Sequence, residues 1–89
     1  MIEIDFSSSF KKAFKKLSRK NKILERRFWS KVEVFTKEPH HPVLKTHKLT
    51  GELKELWSFS VDYDCRVIFY FENSSKVVFI DIGTHDVVY

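Results

Sequence analysis

The chain has 89 residues, a net charge of +4 and 43% hydrophobic residues, including nine phenylalanines. A chain of this length buries roughly 60–65% of its unfolded surface, which supports one core over residues 1–89 and leaves no room for a second domain. A single cysteine, Cys65, excludes an internal disulfide, and no apolar run approaches the ~20 residues needed to span a bilayer.

The N-terminal "MIEIDF" carries acids where a secretory signal has a basic segment. The expected setting is therefore cytoplasmic, with Cys65 reduced and buried inside "CRVIFYF". The same "MIEIDF" alternates as a short strand does. Ser7, Ser8 and Ser9 then offer a helix N-cap, and Phe10, Ala13, Phe14 and Leu17 recur at helical spacing. Lys11, Lys12, Lys15, Lys16 and Arg19 fall on the outer face of this helix, and no acid interrupts the sequence between Lys11 and Lys22. Such a run suits a polyanion, ribosomal RNA included, although a solvated face has the same composition.

"SRKN" breaks the pattern, and Asn21 can cap a second helix with apolar positions at Ile23, Leu24, Phe28, Val32 and Phe35. The connection is tight, so the two helices read as a hairpin. Pro39 and Pro42 end the second helix. Beyond them, "LKELWSFSV", "CRVIFYF" and "KVVFIDI" have strand composition and are separated by the turn segments "DYD" and "ENSSK", with Gly51 in a turn before the first. The expected fold is α+β: an N-terminal strand, a helical hairpin, then three to four mainly antiparallel strands. The helices should cover one sheet face and leave the other open.

The four histidines, His40, His41, His47 and His85, lie outside the apolar runs, in segments that read as loops or strand ends. Cleaving an RNA phosphodiester without a metal takes a base for the ribose 2′-hydroxyl, an acid for the leaving 5′-oxygen and cations around the phosphate. Histidine suits both proton roles, its ordinary pKa being about 6.5. His47, His85 and Asp64 form a candidate proton-transfer set, with Arg66 and Lys48 or Lys54 as cations. Each also has a plainer role: strand-end polar residues for the histidines, a turn residue for Asp64, a salt-bridge partner for Arg66. His40 and His41 are adjacent and lack further ligands at metal-binding spacing, so neither a metal nor another cofactor is expected. Trp29 and Trp57 sit among apolar neighbours, as core or partner-contact residues do.

"HPVLKTHKLTGELKELWSFSVDYDCRVIFYF" and the closing "IGTHDVVY" resemble the RelE/ParE toxin superfamily, specifically the YafQ-like branch of RelE-type mRNA interferases. "SFKKAFKKL" extends the likeness over essentially the whole chain. The resemblance implies a RelE-like microbial RNase fold and a toxin of a type II toxin–antitoxin pair. It also implies cleavage of mRNA on the ribosome and inhibition by a cognate antitoxin in an oligomeric complex. It carries proton transfer and phosphate binding onto His47, Asp64 and His85, a strand arginine onto Arg66 and a base-positioning aromatic onto Tyr89. The pattern departs at Ser60, where the branch has a histidine, at Cys65, where it has an aromatic, and at Asp81, where it has an arginine. An alternative within the superfamily is a ParE-like toxin that binds a topoisomerase and has no nuclease chemistry. A further alternative is a homologue that keeps only the fold.

Overall fold

A computed structural model describes residues 1–50 and 55–84. Strand β1 (Glu3–Phe6) alternates half-buried Ile4 and Phe6 with exposed Glu3 and Asp5. Ser7 then caps α1 (Ser8–Lys20), its side-chain oxygen accepting the Phe10 N–H at 3.1 Å. Asn21 alone connects α1 to α2 (Lys22–Lys37). Its N–H donates to the Leu17 carbonyl at 3.1 Å, closing α1, while its side chain accepts from Leu24 N–H at 3.0 Å, opening α2. One residue satisfies orphan groups of both helices, which is why the hairpin is so tight.

Leu24, Phe28, Val32 and Phe35 form the buried face of α2. Ile23, expected on that face, is 61% exposed. It lies one residue, about 100° of helix rotation, from Leu24, and the buried stripe is narrower than the sequence suggested. A 3-10 turn at Pro42–Leu44 follows, in which Leu44 is buried and His41 Nδ1 accepts the Val43 N–H at 3.0 Å. Lys45 adopts φ 52°, ψ 40° in the left-handed region and turns the chain into β2 (His47–Lys48).

The remaining strands are β3 (Trp57–Asp62), β4 (Cys65–Asn73) and β5 (Lys76–Thr84). They form one five-stranded sheet in the order β1-β5-β4-β3-β2. All pairings are antiparallel except β1 with β5, which is parallel, Ile4 opposite Val77 and Phe6 opposite Phe79. Lys76 fastens this pair at its start, its ammonium 3.2 Å from Asp5 and 3.4 Å from Glu72. Those two carboxylates, Asp5 foremost, raise the Lys76 pKa.

Helix α1 packs on β5 and α2 on β3. Between helices and sheet lies an aromatic core in which Phe28, Phe35, Phe59, Phe69 and Phe79 are fully buried. Phe35 meets Phe59, Phe69 and Phe79 at ring-centre distances of 4.9, 5.1 and 5.6 Å, so one helical residue ties three strands together. Such pairs contribute about 0.5–1.5 kcal/mol each beyond burial. Cys65 is buried in this core, as its sequence context required. No helix among the described residues is long and apolar enough to cross a membrane.

Candidate functional site

Directly opposed residues on paired strands point to the same side of a sheet. His47 lies opposite Ser58, and Ser60, two residues further along β3, lies opposite Arg66. His47, Ser58, Ser60 and Arg66 therefore share the face away from the helices, whose opposite side carries Phe59 and Val67 of the core. Lys48, opposite Trp57, projects to the helix side, where its ammonium pairs with Glu55 at 3.0 Å.

The β3–β4 turn consists of Tyr63 and Asp64. Neither residue has a positive φ, so this is not one of the primed turns whose twist matches a two-residue hairpin. The extra twist comes from a bulge between Ser60 and Asp62. Helix α2 holds the bulged end in place. Arg27 Nη1 donates to Asp62 Oδ2 at 2.7 Å, and Lys31 Nζ donates to the Val61 carbonyl at 3.1 Å. The Tyr63 N–H, donating to Asp62 Oδ1 at 2.6 Å, is the main cause holding the Asp62 carboxyl below its ordinary pKa, with Arg27 and Lys31 acting in the same direction.

Around this tip lies an open groove of about 630 Å³, lined by Lys31, Val43, Lys45, Ser60, Asp62, Tyr63, Asp64 and Arg66. Three of its lining residues are cations and two are carboxylates, one of them already engaged by Arg27. The groove thus keeps cationic character with one exposed acid, Asp64, at its rim. His47 stands on the adjoining edge strand. Its Nδ1 lies 3.0 Å from the Lys45 carbonyl. A carbonyl only accepts, so Nδ1 is the donor in that contact, and Nε2 is the ring nitrogen it leaves unengaged.

Of the residues expected from sequence, the structure gathers Asp64 and Arg66 in the groove, with His47 next to it on the same face. Lys48 is directed elsewhere. Lys11, Lys12, Lys15, Lys16 and Arg19 are all exposed on α1, and none of them lines this groove. Lys54, His85 and Tyr89 lie outside the described residues. Thr84, the residue before His85, pairs with Cys65 at the base of the tip, and Gly83 pairs with Arg66. Asp81 does not line this groove. It borders a separate one with Lys16 and Lys20 of α1, and a bulge at Ile80 precedes it.

Sequence reasoning missed Arg27, Lys31, Lys45 and Tyr63. Arg27 and Lys31 are four apart on α2, so their common side was visible. That this side overhangs the β3–β4 tip was not. Lys45 carried no signal beyond its nearness to His47. His40 and His41 have structural roles: the His40 ring packs 5.5 Å from Trp57 and 6.2 Å from Phe71, and His41 caps the 3-10 turn. Trp57 is half-buried among aromatic rings, while Trp29 is 50% exposed at the end of the Phe6, Phe14 and Phe28 cluster. Among the described residues, no three His, Cys, Asp or Glu side chains converge as a metal site would require.

Residues 2–89 match the model of the family described as bacterial toxin of type II toxin–antitoxin system, YafQ. The chain belongs to the YafQ family of type II toxins. A putative toxin RelE4 from Methanocaldococcus jannaschii is 30% identical over 90 residues, covering 100% of this chain and 92% of the relative. The YafQ-family fold is also that of a YoeB/ParE toxin from Agrobacterium tumefaciens (TM-score 0.79, 14% identity, 94% and 99% of the two chains). A chain of the E. coli DinJ–YafQ complex matches with a TM-score of 0.73 and 22% identity, over 100% and 99%.

Proposed function

We propose that this YafQ-family toxin is an endoribonuclease that cleaves mRNA on the translating ribosome. The observation that supports this most is the juxtaposition of His47, its Nδ1 engaged by the Lys45 carbonyl, with a groove bearing Lys31, Lys45, Arg66 and Asp64. A phosphodiester in that groove would meet cations on several sides, and pentacoordinate phosphorus gains more from them than the ground state does.

In this reading His47 Nε2 takes the proton of the ribose 2′-hydroxyl. The 2′-oxygen then attacks the adjacent phosphorus, the bond from phosphorus to the 5′-oxygen breaks, and a 2′,3′-cyclic phosphate remains. His85, which follows Thr84 in sequence, is assigned as the acid for the leaving 5′-oxygen. Asp64 orients a histidine or the ribose, and Arg66 with Lys31 and Lys45 offsets phosphate charge. Lys48 and Lys54 remain candidate cations at the substrate's edge, and Tyr89 a candidate base contact. No step calls for a metal or another cofactor. The basic surface of α1, from Lys11 to Arg19, would lie against ribosomal RNA, and the setting is the cytoplasm.

The proposed partner that restrains the enzyme is an antitoxin protein, in keeping with the assembled state of the DinJ–YafQ relative. Growth and mRNA integrity after induced expression of wild type, His47→Ala and His85→Ala test the reading. Growth arrest with mRNA cuts that vanish in both variants is expected. Arrest without cuts, unchanged by either substitution, would replace the nuclease with a toxin that acts by binding alone.

A further inference from the structure

Tyr63 is 97% exposed, which is unusual for a large aromatic residue held on a rigid tip. Its neighbours explain the rigidity. Asp62, immediately before it, is tied to Arg27 at 2.7 Å and to the Tyr63 N–H at 2.6 Å, and Val61 is tied to Lys31 at 3.1 Å. Two side chains of α2 thus fix the backbone that carries the ring, while the ring itself stands in solvent. With φ negative at both turn residues, this turn admits most residue types and does not itself call for a tyrosine. Nor is it explained by the core, which it does not touch.

The same residue lines the groove that bears Lys31, Lys45 and Arg66. A cationic groove edged by an exposed aromatic face is a combination by which proteins hold single-stranded nucleic acid. The cations track phosphates, and the ring stacks on a base with little regard for its identity. Because Arg27 and Lys31 hold the backbone of the tip, binding has only the Tyr63 side-chain rotamers to order there.

We infer that Tyr63 is a stacking platform for one nucleobase of single-stranded RNA whose phosphate lies in the Lys31–Lys45–Arg66 groove. This rests on the proposed reading of the groove as an RNA site. It makes Tyr63 a substrate-binding residue that sets the register of the strand, and it predicts tolerance for any base at the stacked position.

The experiment is binding of a fully 2′-O-methylated, hence uncleavable, RNA heptamer to wild type, Tyr63→Phe and Tyr63→Leu, with a series of heptamers carrying one abasic position each. Stacking of ~1–3 kcal/mol per base corresponds to roughly a 5- to 150-fold loss in affinity for Tyr63→Leu, while Tyr63→Phe stays within about twofold. One abasic position should weaken wild type similarly and leave Tyr63→Leu unaffected, because both changes remove the same contact. If wild type binds with the expected salt dependence but Tyr63→Leu binds equally well, or its loss adds to that of every abasic site, the stacking role is overturned and the RNA groove stands. If wild type does not bind the heptamer at all, the groove reading falls and this inference with it. A Tyr63→Leu toxin that keeps its RNA affinity yet escapes neutralisation by a co-expressed antitoxin would overturn the role in favour of a protein contact.

Discussion

Arg27, in the second turn of α2, reaches the tip of the β3–β4 hairpin and pairs with Asp62 at 2.7 Å. The contact joins the helical layer to the turn that carries Tyr63 and Asp64. It also keeps one of the groove's two carboxylates neutralised from behind. The pair is half-exposed, with side-chain exposures of 54% and 33%, so Arg27→Ala should cost only about 0.2–1 kcal/mol in urea unfolding at pH 7. The Asp62 carboxyl is held below its ordinary value, chiefly by the Tyr63 N–H and then by Arg27. A lowered carboxyl pKa stabilises the fold above the unfolded-state value, and that contribution is lost as pH falls through the folded-state value. The difference between wild type and Arg27→Ala should accordingly shrink toward zero in the acid range, as unfolding curves stepped down from pH 7 would show.

Cys65 is a free thiol buried in the core. Burial, followed by the nearby Asp62 and Asp64 carboxylates, pushes its thiol up to about 12. The native protein should resist a thiol reagent at pH 8 and react fully once denatured. A raised thiol pKa stabilises the fold below the unfolded-state value, with the contribution lost as pH rises toward the folded-state value. Unfolding free energy should therefore decline above pH 9. Rapid labelling of the native protein at pH 8 would contradict the buried placement.

At His47 stability and chemistry should separate. The side chain is exposed, so His47→Ala should unfold at the wild-type urea concentration, within about 0.5 kcal/mol. In the proposed mechanism, loss of this general base should lower the rate of RNA cleavage by about 10²- to 10⁴-fold. An unchanged cleavage rate would assign the base elsewhere.

Lys45 allows charge and backbone to be separated. Its φ of 52° suits glycine better than lysine, so Lys45→Gly should match or exceed wild-type thermal stability. The same change removes one groove cation. RNA affinity should fall, and the slope of log affinity against log salt should decrease by about 0.7, the value for one phosphate contact on a single strand. Equal affinities for the two proteins would place the phosphate away from Lys45.

Asn21 should show the cost of sharing a cap. In Asn21→Ala the α2 N-cap is lost, a change worth about 1 kcal/mol, while the backbone N–H that closes α1 remains. Asn21→Gly should recover most of the loss. Urea unfolding of the three proteins checks both expectations.

What the sequence determined by itself were the features set by neighbours along the chain. Ser7 and Asn21 cap helices because their side chains reach N–H groups three residues ahead, and that distance is fixed once a helix starts. The β3–β4 and β4–β5 pairings follow from short turns between β-rich runs, and the alternation in "CRVIFYF" already separated Cys65 and Val67 from Arg66 and Ile68. His47, Asp64 and Arg66 could be singled out through the motif.

The tertiary structure decided everything that depends on segments distant in sequence. β1 takes its place parallel to β5, across more than sixty residues, because Ile4 and Phe6 can complete the Phe79 side of the core only there. Ile23 is left in water because α2 meets the sheet along a single stripe. Lys31, Lys45 and Tyr63 share one groove only because α2, the turn after Leu44 and a bulged hairpin end meet in space. Such convergence depends on helix–sheet packing and on the position of the bulge between Ser60 and Asp62, and neither leaves a local signature in the amino-acid order.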